Sequence, residues 1–299
     1  MIDAPLRFMR RLSAGGSVSG EGRAALLAIL SPPTAVPADT DLMVVGEPLR
    51  HGYVVEDGWG CRYRVLHDGR RQILNFMLPG DYLGASSDLM RSPDHSVATL
   101  TGCRIYRFPV SMLTALERSF PELRDAFDRS ERRDLSLLLE RIVDLGRRNA
   151  RERVARLILE LHQRLCLVGL SAGQTFDFPL TQETLADALG LSIVHVNRTL
   201  RRLKAEGLID YRSGQIIVQQ RKTLASIAEF DDASFAQAKV SHGAAAAIPT
   251  QRYGSAGDVR EFVSGGERRV LRGLSRSTAR STPQCRKERR SRAYRVPSG

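Results

Sequence analysis

The spacing of hydrophobic residues changes from a strand period to a helix period along the chain. Between residues 35 and 110, apolar and polar residues alternate over short stretches such as "RYRV" and "ILNFM", which glycines separate. Successive strand residues face opposite sides of a sheet, so such segments, broken by Gly and Asp-Gly turns, predict an antiparallel sandwich or roll. We expect an all-β domain over residues 35–115, after a helical lead-in over residues 1–34.

A helical pattern replaces the alternation after Pro109. Apolar positions in "LSLLLERIVDL" recur at steps of three, four and three, and charged residues flank them. A stripe this narrow is typical of helix pairing, so it predicts a dimerisation helix within residues 116–148. Packing of the stripe against the chain's own β-domain is the alternative. The predicted dimer contacts are Leu135, Leu138, Ile142 and Leu145, and the predicted water-facing residues are Arg132, Arg133, Glu140 and Arg141.

The stretch "TQETLADALGLSIVHVNRTLRRL" has the signals of two short helices joined by a tight turn. Thr181 and Ser192 are good N-cap residues, and Gly190 can adopt the left-handed conformation that ends a helix. Ala186 is small where the two helices would cross, and Val196 lies on the inward face of the second helix. This spacing predicts a helix-turn-helix whose second helix enters the major groove of double-stranded DNA.

The opposite face of that second helix is polar and cationic. Arginine can pair with guanine, asparagine can read adenine, and serine or arginine can bind phosphates. A solvated basic surface is the alternative. The following "GLIDYRSGQIIV" predicts a β-hairpin, the wing of a winged helix within residues 149–229. The candidate DNA-binding residues are Thr181, Ser192, His195, Asn197, Arg198, Arg201, Arg202 and Arg212.

Composition adds a basic tail and excludes several other classes of protein. The net charge of the 299 residues is +12. Residues 231–299 hold 14 Lys+Arg and 6 Asp+Glu, so 14 − 6 = +8 of that charge lies there. This tail, over residues 230–299, has no sustained apolar period, so we expect it to be disordered. It either adds non-specific affinity for phosphates or is a solvated extension without a role in binding.

The chain also lacks features of membrane, secreted and metal-binding proteins. We find no stretch of about 18 uncharged apolar residues and no signal-peptide core, so we expect a cytoplasmic protein without a membrane span. The four cysteines lie far apart without zinc-ligand spacing, so no metal site is predicted and buried, unreactive thiols are expected.

With a β-roll, a pairing helix and a winged helix in this order, the chain resembles the Crp/Fnr family of bacterial transcription regulators over about residues 35–225. The segments "GRRQILNFMLPGDYLG" and "PLTQETLADALGLSIVHVNRTLRRLKAEGLI" carry the resemblance. It implies an α+β fold with an N-terminal antiparallel, cupin-like β-roll, a long dimerisation helix and a C-terminal winged helix-turn-helix. It also implies a homodimer that binds a two-fold symmetric operator and contacts RNA polymerase.

Within the resemblance, Arg198 falls where the family has a base- and phosphate-contacting arginine, and Asn197 stands where some branches have serine. The sequence departs from the best-studied branches at Val194, where they have a glutamate that reads cytosine. Valine cannot accept that hydrogen bond, but it can contact a thymine methyl group. We therefore expect a two-fold operator and leave its sequence open.

The β-roll departs from the family's cyclic-nucleotide-binding pattern. Ala85 replaces the expected glutamate, His95-Ser96 lies near the place of the arginine–serine pair, and Arg91-Ser92 comes too early. Neutral histidine pairs poorly with phosphate, so we do not expect cyclic AMP to bind. An iron–sulfur cluster is not expected because residues 1–34 contain no cysteine, and a lone histidine is more often structural than a haem ligand.

The identity of a small-molecule effector therefore stays open. A constitutive DNA-binding dimer with a purely structural roll is one alternative. An enzyme with a regulatory roll is disfavoured, because the sequence has no GxSxG, HExxH, P-loop or GxGxxG motif.

Overall fold

The computed structural model describes residues 6–84, 93–171 and 173–231 of the chain. The predicted tail beyond Asp231 therefore lies outside the described residues, as do Ala85, Arg91 and Ser92. The described residues belong to one compact unit.

The region predicted to be all-β is a roll of two four-stranded antiparallel sheets, so the predicted fold class is confirmed. One sheet has the order β1-β8-β3-β6 and the other has the order β2-β7-β4-β5. The strands are β1 (Thr34–Val36), β2 (Asp41–Met43), β3 (His51–Asp57), β4 (Gly60–Val65), β5 (Arg71–Met77), β6 (Tyr82–Leu83), β7 (Ser96–Thr99) and β8 (Cys103–Pro109).

Both faces of β8 carry buried apolar side chains, because neighbouring strand residues point to opposite faces of a sheet. Cys103 and Ile105 belong to a cluster with Val36 of β1, whereas Tyr106 and Phe108 belong to a separate cluster with residues of the flanking helices. The exposed residues of β8 are Arg104 and Arg107.

Helices surround the roll and continue into the C-terminal half. They are α1 (Leu6–Leu12), α2 (Gly20–Ala28), α3 (Val110–Ser119), α4 (Pro121–Arg147), α5 (Ala150–Leu167), α6 (Gln182–Leu189), α7 (Ile193–Ala205) and α8 (Arg221–Ala228). Pro121 begins α4 at a position where its missing N–H costs no helical hydrogen bond. Asn149 and Glu152 form a capping box that starts α5.

The faces of α4 differ in part from the sequence prediction. Arg141 was predicted to face water but is 6% exposed, with Nη2 3.1 Å from Glu160 Oε2 and Nη1 3.5 Å from Asp144 Oδ2. That prediction is wrong, because carboxylates from α4 and α5 neutralise the arginine at a buried position. Leu139 and Val143 are instead exposed, by 55% and 43%.

The C-terminal half contains a three-stranded sheet of order β10-β11-β9 beside the helix-turn-helix. The predicted hairpin is β10 (Ile209–Arg212) and β11 (Gln215–Val218), and β9 (Thr175–Asp177) is an edge strand that the sequence analysis did not predict. The helix-turn-helix therefore has a wing of three strands.

The roll and the C-terminal half share a hydrophobic core. Trp59 and Phe76 of the roll belong to the same buried cluster as Leu159 of α5 and Phe178 before α6. The rings of Trp59 and Phe178 meet edge to face, with centroids 6.4 Å apart. Helix α5 is buried on nearly all sides between the two halves, as expected for a helix at the centre of a core.

Buried charges add a second connection between the halves. Asp81, in the loop between β5 and β6, lies 3.0 Å from Arg11 Nη1 and also pairs with Arg164 of α5. Arg164 donates a further hydrogen bond of 2.8 Å to the carbonyl oxygen of Phe76 in β5. Asp81 accepts a 2.8 Å hydrogen bond from the Leu78 N–H. One carboxylate therefore joins α1, the roll and α5.

Asp134 of α4 belongs to the same network through its ion pair with Arg11. Burial on its own would raise the pKa of the Asp134 carboxyl, but the positive charges of Arg11, Arg62 and Arg164 outweigh burial and lower it. Asp134 is therefore held in its charged form inside the protein.

Candidate nucleic-acid interface

The predicted caps and turn of the helix-turn-helix are present. Thr181 Oγ1 accepts a 3.0 Å hydrogen bond from the Thr184 N–H and begins α6, and Ser192 Oγ accepts one of 3.3 Å from the His195 N–H and begins α7. Gly190 has φ +62° and ψ +39°, the left-handed conformation that ends α6. The two helices are therefore separate, and local side chains fix their ends.

The inward, apolar face of α7 packs against the rest of the winged helix. Val196 and Leu203 are fully buried, and Ala186 of α6 is 7% exposed where the sequence predicted a close crossing. Leu191 and Leu200 are partly buried against the same core. The burial of this face leaves the opposite face of α7 at the surface.

That opposite face carries most of the predicted DNA-binding side chains. Asn197 is partly buried, and its Nδ2 donates a 3.0 Å hydrogen bond to Gln182 Oε1 of α6. Val194 is 75% exposed, although it is apolar. The exposed predicted residues on or beside α7 are Ser192, His195, Arg198, Arg201 and Arg202.

The arginines of α7 differ in their intramolecular partners. Arg202 Nε donates a 2.8 Å hydrogen bond to Glu206 Oε1 one turn later. Arg198 and Arg201 form no ion pair with another described residue. Their charges are consequently available for an external anion such as a DNA phosphate.

The wing turns at Ser213 and Gly214, whose φ values are +49° and +76°. Positive φ at both central residues is the geometry of a type I′ hairpin turn, which matches the twist of the strands. Arg212, at the end of β10, is exposed, and its Nε lies 2.6 Å from Asp210 Oδ2. The predicted hairpin is therefore present, with Arg212 beside its tip.

A groove of 360 Å³ between α6, α7 and the wing includes residues that the sequence analysis missed. Lys204 lies three residues after Arg201 on the same helical face, a spacing that could have identified it. Lys204 Nζ is 2.7 Å from Asp210 Oδ1, and this contact, followed by Arg212, lowers the pKa of the Asp210 carboxyl. The groove is lined by Phe178, Leu180, Thr181, Gln182, Leu185, Asn197, Leu200, Arg201, Lys204 and Tyr211.

Two other kinds of site are missing from the part of the chain that the structure describes. Within residues 6–84, 93–171 and 173–231, no three histidine, cysteine or acidic residues are grouped so that they could hold a metal ion. The helices in those ranges are all too short or too polar to cross a bilayer. Cys61 and Cys103 are buried, and burial raises the pKa of Cys61 to about 11, whereas Cys166 is exposed, contrary to expectation.

Comparison with known proteins identifies both halves of the chain. Residues 33–119 match the cyclic nucleotide-binding domain, and residues 152–227 match the Crp-like helix-turn-helix domain. The nitrogen fixation regulation protein FixK of Bradyrhizobium diazoefficiens is 36% identical over 165 residues, which are 55% of this chain and 68% of that protein. The chain belongs to the Crp/Fnr family.

Further relatives of this Crp/Fnr regulator agree. The transcriptional activatory protein AadR of Rhodopseudomonas palustris is 36% identical over 159 residues, which are 52% of this chain and 64% of AadR. The solved structure of FixK2 from Bradyrhizobium japonicum has a TM-score of 0.61 and 26% identity, covering 67% of this chain and 97% of that one. The predicted family, fold and DNA-binding regulatory function are thus confirmed, and the relatives are regulators rather than enzymes.

The match to the cyclic nucleotide-binding domain identifies the type of fold in the roll of this Crp/Fnr regulator. Three residues on which the cyclic AMP expectation depends, Ala85, Arg91 and Ser92, lie outside the described residues. His95 Nδ1 is 2.8 Å from Asp94 Oδ1, and this hydrogen bond lowers the pKa of the Asp94 carboxyl. The expectation that cyclic AMP, haem and an iron–sulfur cluster do not bind stays a prediction.

Proposed function

We propose that this Crp/Fnr regulator binds a two-fold symmetric DNA operator as a homodimer, with α7 of each protomer in a major groove. The observation that supports this most directly is the division of α7 into two faces. Val196 and Leu203 are fully buried, while Arg198 and Arg201 on the other face are exposed without an ion-pair partner among the described residues. A helix fixed on one side and cationic on the other is suited to reading a groove.

The predicted DNA-binding side chains and Val194 are proposed to make two kinds of contact, with bases and with phosphates. Arg198 pairs with a base or a phosphate, and Asn197, held by Gln182, contacts a base edge. Val194 lies at the first turn of α7, where its 75% exposure suits contact with a thymine methyl group. Phosphate contacts are assigned to Thr181, Ser192, His195, Arg201, Arg202 and Arg212.

The dimer is proposed to form along α4, because this helix exposes a row of large apolar side chains. Ile142 is 66% exposed, and Leu135 and Leu139 are each 55% exposed. Such rows favour burial against a second helix, and a second copy of the chain supplies an identical row. Of the residues predicted for the seam, Leu138 is partly buried, and Leu145 lies against Gly190 of its own chain.

The β-roll is proposed to act as a sensor for a small-molecule effector. The shared core and the Asp81 network support this role, because a change in the roll would be transmitted to α5 through packed side chains. A roll that serves only as a scaffold is the second candidate. Titration of metabolites against operator affinity separates the two, since a switch requires a ligand that binds two states unequally. RNA polymerase is the proposed partner, in the cytoplasm.

Arg198→Ala tests the proposed interface directly. An operator is first selected with the wild-type protein from a random DNA pool, and its affinity is measured by gel shift. We expect Arg198→Ala to weaken specific binding by about 1–3 kcal/mol while the melting temperature stays unchanged. Arg118→Ala, which removes an exposed arginine from α3, is the matched control and should bind like wild type. Equal affinities for the two variants would remove Arg198 from the interface.

A further inference from the structure

The guanidinium of Arg153 connects the ends of two helices. Arg153 lies in the first turns of α5, and its Nε donates a 2.7 Å hydrogen bond to the carbonyl oxygen of Arg148, just after α4. Its Nη2 donates to the Leu145 carbonyl of α4 at 3.0 Å, and its Nη1 donates to the Leu189 carbonyl of α6 at 3.0 Å. One side chain therefore binds the C-terminal end of α4 and the C-terminal end of α6.

Helix chemistry makes this a strong and directional connection. The last carbonyl groups of a helix lack intrahelical partners and form the negative end of its dipole. A guanidinium is a planar, permanently charged group with donors in a fixed arrangement, so Arg153 can satisfy both helix ends only when they keep a set separation and angle. Three carbonyl oxygens, rather than a carboxylate, are its partners here.

Apolar packing adds a second contact between the end of α4 and the end of α6, a region that we call the α4–α6 joint. A Cβ atom placed on Gly190 would lie 3.0 Å from Leu145 Cδ2, so the turn of the helix-turn-helix sits directly on α4. The ion pairs Arg141–Glu160 and Arg156–Glu140 between α4 and α5 do not extend to α6. Arg153 differs from them because it reaches the helix-turn-helix itself.

We propose that Arg153 is a positioning residue that sets the angle of the recognition helix relative to α4, and so sets the distance between operator half-sites. The inference rests on the proposed function, in which α4 forms the dimer. In a two-fold dimer, any rotation of α7 about the joint occurs in both protomers, so its effect on the separation of the two helices is doubled. Half-sites must lie about 34 Å apart for both helices to read the groove.

The test compares half-site spacing with half-site affinity. The operator selected by the wild-type protein is resynthesised with its two half-sites one base pair closer, unchanged, and one or two base pairs further apart, together with a duplex carrying a single half-site. Full-length Arg153→Gln, Arg153→Lys and the control Arg147→Gln, which changes an exposed residue in the last turn of α4, are measured on each duplex. Thermal melting of each variant shows that it is folded.

Wild type and Arg147→Gln are expected to prefer one spacing sharply. Arg153→Gln should bind the optimal duplex at least about ten-fold more weakly, because the two reading helices no longer engage together, while its half-site affinity stays within about two-fold of wild type. Arg153→Lys keeps the charge but not the planar donors. The preference for one spacing should therefore be weaker in Arg153→Lys, as in Arg153→Gln, than in wild type.

Either of two results would overturn the inference. One is an unchanged spacing preference in folded Arg153→Gln and Arg153→Lys. The other is an equal loss of affinity for the half-site and for every full operator, which would mean that Arg153 only supports the fold of the winged helix. A wild-type protein that selects no two-fold sequence would instead overturn the proposed function, before any variant is compared.

Discussion

Replacing Arg164 with methionine tests whether buried charges hold the two halves of the protein together. Arg164 is on α5, and it pairs with Asp81 and donates to the Phe76 carbonyl at 2.8 Å and to Asn75 Oδ1 at 3.0 Å, all of them in the roll. Methionine fills similar space but makes none of these bonds. The substitution therefore leaves the shared apolar core in place and removes the positive charge that pairs with Asp81 of the roll.

The magnitude follows from what each partner keeps. Removing one member of a buried ion pair costs about 3–5 kcal/mol, because the other charge is left without compensation. Asp81 retains Arg11 at 3.0 Å and the Leu78 N–H at 2.8 Å. Glu160, the second carboxylate beside Arg164, retains Arg141 at 3.1 Å, so the lower end of that range applies. At about 2–4 °C per kcal/mol for a protein of this size, a loss of about 3 kcal/mol lowers the melting temperature by about 6–12 °C.

The single tryptophan of the chain provides the assay. Trp59 is 5% exposed and contacts Phe178 across the junction, so separation of the halves hydrates its indole and shifts its emission to longer wavelength. We expect this shift at the lower temperature in Arg164→Met. Arg118→Met, an exposed control on α3, should have a free energy of unfolding within about 0.5 kcal/mol of that of wild type. If Arg164→Met and Arg118→Met have the same melting temperature, the Asp81 network does not hold the two halves together.

Two further predictions concern assembly and acid stability. Leu139→Glu combined with Ile142→Glu should give monomers in analytical ultracentrifugation, because charges cannot be buried in an apolar seam, whereas exposed Met112→Glu should remain dimeric. A double variant that sediments as a dimer would place the seam elsewhere. The lowered pKa of Asp134 stabilises the folded state above the unfolded value of about 4, and this contribution is lost as pH falls through the lower folded value. Wild type should therefore lose melting temperature more steeply than Asp134→Asn below about pH 4, and parallel curves would contradict this.

The helix-turn-helix was predictable because its signals are local. Thr181, Gly190 and Ser192 set the ends of α6 and α7 through hydrogen bonds and backbone conformations within a few residues of each other. Such signals can be interpreted without knowing what packs against the helix. The same reasoning located the wing from Ser213-Gly214.

Features that depend on distant partners were not predictable in the same way. Three consecutive leucines, Leu137–Leu139, leave the orientation of α4 ambiguous in the sequence, and the burial of Arg141 depends in part on Glu160 of another helix. The Asp81 network likewise joins residues more than 80 positions apart. Edge strand β9 has three residues, too few to show an alternating pattern.

The central position of α5 limits how this regulator can be divided. A shortened chain starting at Asn149 would keep every residue proposed to contact DNA, yet it would expose to water the side of α5 that packs against Trp59 and Phe76. It would also leave Arg164 without Asp81. A chimera that joins this winged helix to the sensor domain of another protein therefore also has to include the part of the roll that packs against α5.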